Sequence, residues 1–279
     1  MPVTAEYILS RIPEREKRWK RLIGYHRVPG KRYRSLYVAH YRFRAEIPEA
    51  KGLRIAFFSD VHAMNNAETR RYLADAAAVF REFQPDYLLC GGDYLGYMSD
   101  AAESWRELQK FSELPGVKLA VRGNWECRKK WIPLSYWRDE FAKCGFRLLC
   151  NEMYRDDRLE LYGLDDPASG VVIPPAWSNP PKQRWMLCHN PDGFFAIDDG
   201  KKKSRLAPVN CCGHTHAGQV RLPLLGPVGQ ASAYGRNFDC GLFRHEPGGE
   251  IMVISAGISH LSFPIRLFCR REILLMELE

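Results

Sequence analysis

Asp60, His62, Asp93, Asn124, His189, His214 and His216 are the residues of this chain whose types and spacing could do chemistry together. Each of five short apolar runs, Leu53–Phe58, Tyr87–Cys90, Val117–Val121, Trp185–Cys188 and Pro208–Cys212, is followed within three residues by a member of that set. Functional groups in open α/β sheets gather beyond the carboxyl ends of the strands, so groups at five such ends can converge on one crevice. Taken singly, each could be a satisfied core polar residue. Four histidines, two aspartates and an asparagine in matching places would each need a separate buried partner, and convergence on metal ions is the simpler account. Imidazole, carboxylate and amide oxygen suit divalent first-row ions such as Mn, Fe or Zn, and a set without thiolate is unlike a structural zinc site. Mn²⁺ is the first choice. Gly91-Gly92, Gly123 and Gly213 stand just before Asp93, Asn124 and His214, where the chain must turn sharply without a Cβ in the way.

The elements that must position these groups follow from periodicity. Apolar runs of strand length alternate with helical patterns, which predicts an α/β fold of parallel strands and crossover helices. Asn65 or Asn66 can cap a helix whose apolar positions Leu73, Ala76, Ala77, Phe80 and Phe83 recur every three or four residues until Pro85. Asp100 and Glu103 have capping-pair spacing before a helix with Ala101, Trp105, Leu108 and Phe111 on one face. A further helix is expected over Leu134–Cys144, with Leu134, Trp137 and Phe141 facing the core, and loops over Asp165–Pro181 and Asp198–Arg205. Beyond His216 the helical signal stops, and Glu250–Ser255 and Glu272–Leu278 read as strands of a second, more antiparallel layer.

With 279 residues, 46% hydrophobic and 27% charged, the chain can bury a sizeable core, and no apolar stretch approaches the roughly 20 residues of a membrane span. Met1–Ser10 lacks the apolar segment of a secretory signal, so a cytoplasmic protein is expected. Nine cysteines are too sparse for a disulfide scaffold and their number is odd, which favours free thiols. Cys211-Cys212 could bind metal, but neighbours on a strand point to opposite faces, and buried strand positions fit them better. Charge is uneven: Met1–Ala45 carries 12 Lys/Arg against 3 Glu, while the remainder is close to neutral. Residues 1–32 therefore read as a basic arm, interleaved with Tyr7, Ile8, Leu9, Ile12, Trp19, Leu22, Ile23 and Tyr25 and suited to an anionic membrane surface, with nucleic acid or an acidic partner behind it. The competing reading is a solvated helix packed on the domain.

The motifs Asp60-Val61-His62, Gly92-Asp93, Gly123-Asn124-Trp125, His189 and Gly213-His214-Thr215-His216 resemble the calcineurin-like metallophosphoesterase pattern of Asp-x-His, Gly-Asp, Gly-Asn-His, His and Gly-His-x-His. The resemblance runs from about Tyr33 to Glu279, making 33–279 one domain. The extended ending Gly213 to Val220, with Phe263-Pro264-Ile265-Arg266 later, is similar to the bacterial branch that includes UDP-2,3-diacylglucosamine hydrolases. The resemblance implies a four-layer α/β/β/α sandwich with mixed sheets and the site at the strand C-terminal ends. It implies two divalent ions, one held by Asp60, His62, Asp93 and His216, the other by Asp93, Asn124, His189 and His214, with Asp93 bridging. Such a pair, about 3.5–4 Å apart, activates water and clamps phosphoryl oxygens.

One position departs from the family: Trp125 stands where it usually has His after the Asn. Indole donates a hydrogen bond but relays no proton. His260 or an arginine would have to compensate. Arg122, Arg128 and Arg236 could pair with a substrate phosphate through forked donors, although solvated surface arginine is the ordinary fate of each. Trp131 and Ile132 fall off the core-facing helical stripe and could line a cap for an acyl chain, or pack on the domain. The implied activity is hydrolysis of a phosphoester or pyrophosphate in a phosphorylated small molecule or lipid-linked nucleotide, with UDP-2,3-diacylglucosamine in lipid A synthesis first, at the inner membrane surface. The alternatives are a nucleotide or nucleic-acid phosphodiesterase and, from another class, a metal-binding scaffold weakened in catalysis.

Overall fold

The computed structural model describes residues 19–22, 27–179, 182–198, 205–229, 232–233, 238–246, 248–260 and 264–279. β1 (Trp19–Arg21), β2 (Arg27–Tyr33) and β3 (Leu36–Phe43) precede the first expected strand, β4 (Arg54–Phe58). After it come α1 (Ala67–Phe83), β5 (Tyr87–Cys90), α2 (Ala101–Gln109), β6 (Val117–Ala120), α3 (Asn124–Arg128), α4 (Leu134–Lys143) and β7 (Phe146–Leu148). The second half contains β8 (Glu152–Arg155), β9 (Leu159–Gly163), β10 (Gln183–Leu187), α5 (Asp192–Ile197), β11 (Val209–Cys212), β12 (Arg221–Leu222), β13 (Gly226–Pro227), β14 (Gly241–His245), β15 (Ile251–Ile254) and β16 (Glu272–Leu278).

Two seven-stranded sheets share the strands that lead into the site. The first has the order β2-β3-β16-β4-β5-β6-β7, and the second β1-β14-β15-β11-β10-β9-β8. β4 to β7 run parallel, as do β9, β10, β11 and β15, while β16 is parallel to β3 and antiparallel to β4. Alternation along each strand decides what packs where. Phe57, Leu89 and Leu119 point inward and meet Trp185, Leu187, Val209, Cys211 and Val253 of the facing sheet. Phe58, Leu88 and Ala120 point outward under Phe80 of α1, Trp105 of α2, and Trp137 and Phe141 of α4. On the far side Met186, Cys212, Met252 and Ile254 are covered by Phe194, Phe195 and Ile197 of α5, with loop residues Val172, Leu206 and Phe238. The layers are therefore α/β/β/α, and the fourth is thin, with one six-residue helix described. Cys211 and Cys212 fall on opposite faces of β11, both buried and free.

Three sequence expectations need correction. β15 and β16 do not share a layer: β15 lies in the second sheet, whereas β16 is inserted beside β4 in the first. Asn66 caps α1, its Oδ1 accepting from Thr69 N at 2.7 Å, but the Asp100 side chain makes no cap for α2 and accepts instead from Asn65 N at 3.1 Å. The described part of the N-terminal arm is extended rather than helical. β1 adds an edge to the second sheet, where Trp19 is buried against His245 at 4.8 Å and Phe195 at 5.9 Å. Tyr7, Ile8, Leu9, Ile12, Ile23 and Tyr25 lie outside the described residues. His245 is held between Glu250, 2.9 Å from Nδ1, and Asp198, 3.1 Å from Nε2. Burial opposes its charge, but the two carboxylates outweigh burial and push its pKa up to about 9.

Candidate metal centre

The loops after β4, β5, β6, β10 and β11 meet where the two sheets come together at their carboxyl ends. Asp60 (φ 54°), His62 (42°), Asp93 (51°), His214 (68°) and His216 (49°) all adopt left-handed backbone, which costs a non-glycine residue about 1–3 kcal/mol. Cross-loop hydrogen bonds hold them there. Asp60 N donates to Gly92 O at 3.1 Å, His62 N to Asp93 O at 3.0 Å, and His214 N to the Asp60 carboxylate at 3.0 and 3.1 Å. Gly92 turns in left-handed backbone with φ 88°, whereas Gly123, with an ordinary φ of −97°, and Gly213 serve close approach, since a Cβ would overlap Asp93 and Asp60 respectively.

All seven singled-out side chains come together, and all are buried. Asp60, His62 and His216 form one group that could hold a metal ion, with His62 Nε2 3.1 Å from His216 Nε2 and His216 Nε2 3.3 Å from Asp60 Oδ1. Asp93, His189 and His214 form a second. Asn124 Oδ1 joins it, 2.8 Å from His214 Nδ1 and 3.1 Å from His189 Nε2. Asp93 Oδ2 lies 3.3 Å from His189 Nε2 and 3.6 Å from His62 Nε2, between the two groups. His189 Nδ1 is 2.8 Å from Gly91 O, which only accepts, so that nitrogen carries a proton and Nε2 faces the Asp93 and Asn124 oxygens.

Burial dominates the electrostatics. It pushes Asp60 up to about 6, with His189 opposing and Asp93 adding to the rise. It lowers His62 to about 4 and His216 well below the usual imidazole range, leaving both neutral and able to donate lone pairs at neutral pH. Asp93 and His189 form a tight pair. Against the burial penalty, their mutual attraction holds Asp93 below and His189 above their ordinary values. A convergent set of imidazole, amide and carboxylate N and O donors fits divalent ions.

Sequence reasoning missed two buried acids, of which the first supports this arrangement. The buried Glu126 carboxylate accepts from the backbone N–H groups of Gly123 (2.8 Å), Asp93 (3.0 Å), Tyr94 (3.0 Å) and Leu95 (3.2 Å), tying the β5 and β6 loops together. Its position three residues after Gly123 was the available signal, since that is the spacing of a capping glutamate. Asp166 is fully buried, accepts from Ala168 N through Oδ1 and leaves Oδ2 without a hydrogen bond, and burial pushes its pKa up to about 7.

The other expected site residues are distributed unevenly. Trp125 lies at the site, its ring 5.0 Å from that of His62 and its backbone N–H donating to Asp93 Oδ1 at 2.8 Å. Arg122 is spent inside the protein in a bidentate pair with Asp165, at 2.6 and 3.2 Å. Arg128 is exposed at the end of α3. His260 is buried, with Nε2 3.6 Å from Glu68 Oε2. Arg266, part of the Pro264-Ile265-Arg266 stretch, brings Nη2 within 3.2 Å of His216 Nδ1. Arg236 lies outside the described residues.

The calcineurin-like phosphoesterase family pattern matches residues 53–218. Phosphodiesterase YaeI of Escherichia coli is 28% identical over 235 residues, spanning 82% of this chain and 83% of that protein. An uncharacterized metallophosphoesterase of Bacillus subtilis, YkuE, is 24% identical over 246 residues, spanning 82% and 79%. Among solved structures, a Pseudomonas putida nuclease MPE aligns over 79% of this chain and 78% of its own, at 15% identity and a TM-score of 0.38.

Proposed function

This chain belongs to the calcineurin-like phosphoesterase family and is a metal-dependent phosphoester hydrolase, and from that premise we propose that it cleaves pyrophosphates, such as those of UDP-sugar lipids, and activated aryl diesters in preference to alkyl phosphomonoesters. Asp60, His62, Asp93 and His216 would hold one divalent ion, and Asp93, Asn124, His189 and His214 the other. When bound, such ions supply Lewis-acid polarisation of a phosphoryl oxygen and activation of water. The protein's own contribution is placement. Asp93, between the two groups, sets their separation, and Glu126 fixes the backbone that carries Asp93.

The observation that carries the preference is Trp125. Its indole occupies the side of His62 where an imidazole could otherwise serve the leaving group, and His260 is engaged with Glu68. A phosphate leaving group has a conjugate-acid pKa of roughly 6–7 and needs little help. An alkoxide profits from a general acid by about 10²–10⁴-fold. The name of the E. coli relative, a phosphodiesterase, supports the same bond class. Within that class the lipid-linked nucleotide UDP-2,3-diacylglucosamine is the first substrate to assay and Mn²⁺ the first metal. The experiment is a panel of pyrophosphates, diesters and alkyl monoesters with defined metal loading. Equal rates on alkyl monoesters and pyrophosphates would overturn the reading.

A further inference from the structure

Among the described residues, most of the exposed large apolar side chains fall in two short segments, residues 222–228 and 265–268. These form one surface: Val220 bridges Leu267, Arg221 N donates to Leu267 O at 3.0 Å, and Leu267 N to Gln219 O at 3.1 Å. The surface begins at the metal centre. Gln219 N donates to His216 O, and Arg266, flanked by Ile265 and Leu267, reaches the His216 ring.

Leu224 at the tip of the β12–β13 hairpin is fully exposed with φ 68°, and Phe268 is 68% exposed with φ 50°. Turn positions of this backbone class favour glycine or asparagine, and an exposed leucine or phenylalanine there contributes nothing to the fold. A second set of exposed rings comprises Tyr97, 52% exposed and 6.1 Å from Trp125, and Trp131, 76% exposed in the turn that follows α3. Exposed Arg128, Lys130 and Arg270 accompany these apolar groups, close to them in the chain. Apolar tips, an interfacial tryptophan and cationic neighbours together match an anionic lipid surface. No helix among the described residues is long and apolar enough to cross a membrane, so contact would be from one side.

We propose that the metal-centre face docks on an anionic bilayer, with Leu224, Leu225 and Phe268 inserting and Trp131 as a further anchor, so that a phosphoester at headgroup depth meets the metals. Binding is read without turnover, by sedimentation with vesicles of phosphatidylcholine alone or mixed equally with phosphatidylglycerol. Each leucine withdrawn from water strengthens partitioning by about tenfold or more. The double variant Leu224→Asn/Leu225→Asn should therefore bind mixed vesicles about 100-fold more weakly, and Trp131→Ser should also weaken binding. Both should keep wild-type hydrolysis of a soluble aryl diester, and the asparagine variant should melt no lower than wild type because Asn tolerates the left-handed turn. Undiminished vesicle binding by the double variant, or equal binding to neutral vesicles, would overturn the assignment. A wild-type dimer that the double variant dissolves would overturn it in favour of a second copy as the occupant.

Discussion

Asp93 lies in reach of both groups of candidate ligands, so its removal should act on both at once. Asp93→Ala is expected to lower turnover by about 10³-fold or more and to cut the number of ions bound in calorimetric titration, because two cations lose the anion that screens their repulsion. Near-wild-type activity at matched metal content would refute this. Trp125→Phe should be mild, whereas Trp125→His should raise the rate on alkyl esters more than on pyrophosphates. Asp166 allows a cleaner electrostatic test. Its folded pKa of about 7 lies above the ordinary 3.8, so the folded state is favoured while the carboxyl is protonated and loses that advantage as pH rises from about 4 through 7. Asp166→Asn should melt with wild type near pH 4 and above it beyond pH 7, and parallel melting curves would exclude the effect. At this scale the sequence was most informative: the spacing of the seven donors after apolar runs foretold their meeting. What it hid were residues whose role depends on distant backbone. Glu126 binds amides more than thirty residues away in the chain, and Arg122 is committed to Asp165, which no local pattern encodes.

Between elements, Glu126 behaves as a rivet joining the β5 and β6 loops. Glu126→Ala leaves four buried N–H donors without their acceptor and should cost about 2–5 kcal/mol, with Glu126→Gln recovering part because its amide oxygen still accepts. Equal losses for the two variants would show that packing rather than hydrogen bonding dominates. At the opposite edge, β1 depends on His245. The imidazolium is stabilised by Asp198 and Glu250, so its contribution is complete below the ordinary value of 6.5 and disappears as pH rises through about 9. Amide exchange in Trp19–Arg21 should accelerate across that interval in wild type and be insensitive to pH, beyond intrinsic chemistry, in His245→Gln. Strand identities β4, β5, β6, β10 and β11 were legible because each is a short apolar run before a turn. Which sheet each joins was not, since pairing is a non-local choice. β15 and β16 carry similar apolar runs, yet β16 has a neighbour on each side, β3 and β4, in the first sheet.

For the whole molecule, metal ions should stabilise as well as activate. At about a hundred times the dissociation constant a ligand adds about 2.7 kcal/mol, so chelation should lower Tm by about 5–10 °C, and re-addition of Mn²⁺ should restore it. Unchanged melting after verified metal removal would argue against binding at the buried groups. The placement of β16 has a further consequence, for synthesis on the ribosome. β4 emerges more than two hundred residues before its neighbour β16, and until residue 278 clears the exit tunnel the first sheet presents β3 and β4 as two unpaired edges lined with Phe57, Ala39 and Ile55. The nascent chain must therefore carry an adhesive, unpaired sheet edge from the emergence of β4 until β16 follows. Chains stalled before Glu272 should be degraded by protease and held by a holdase chaperone, while those extended past Leu278 should become resistant within the folding time of one domain.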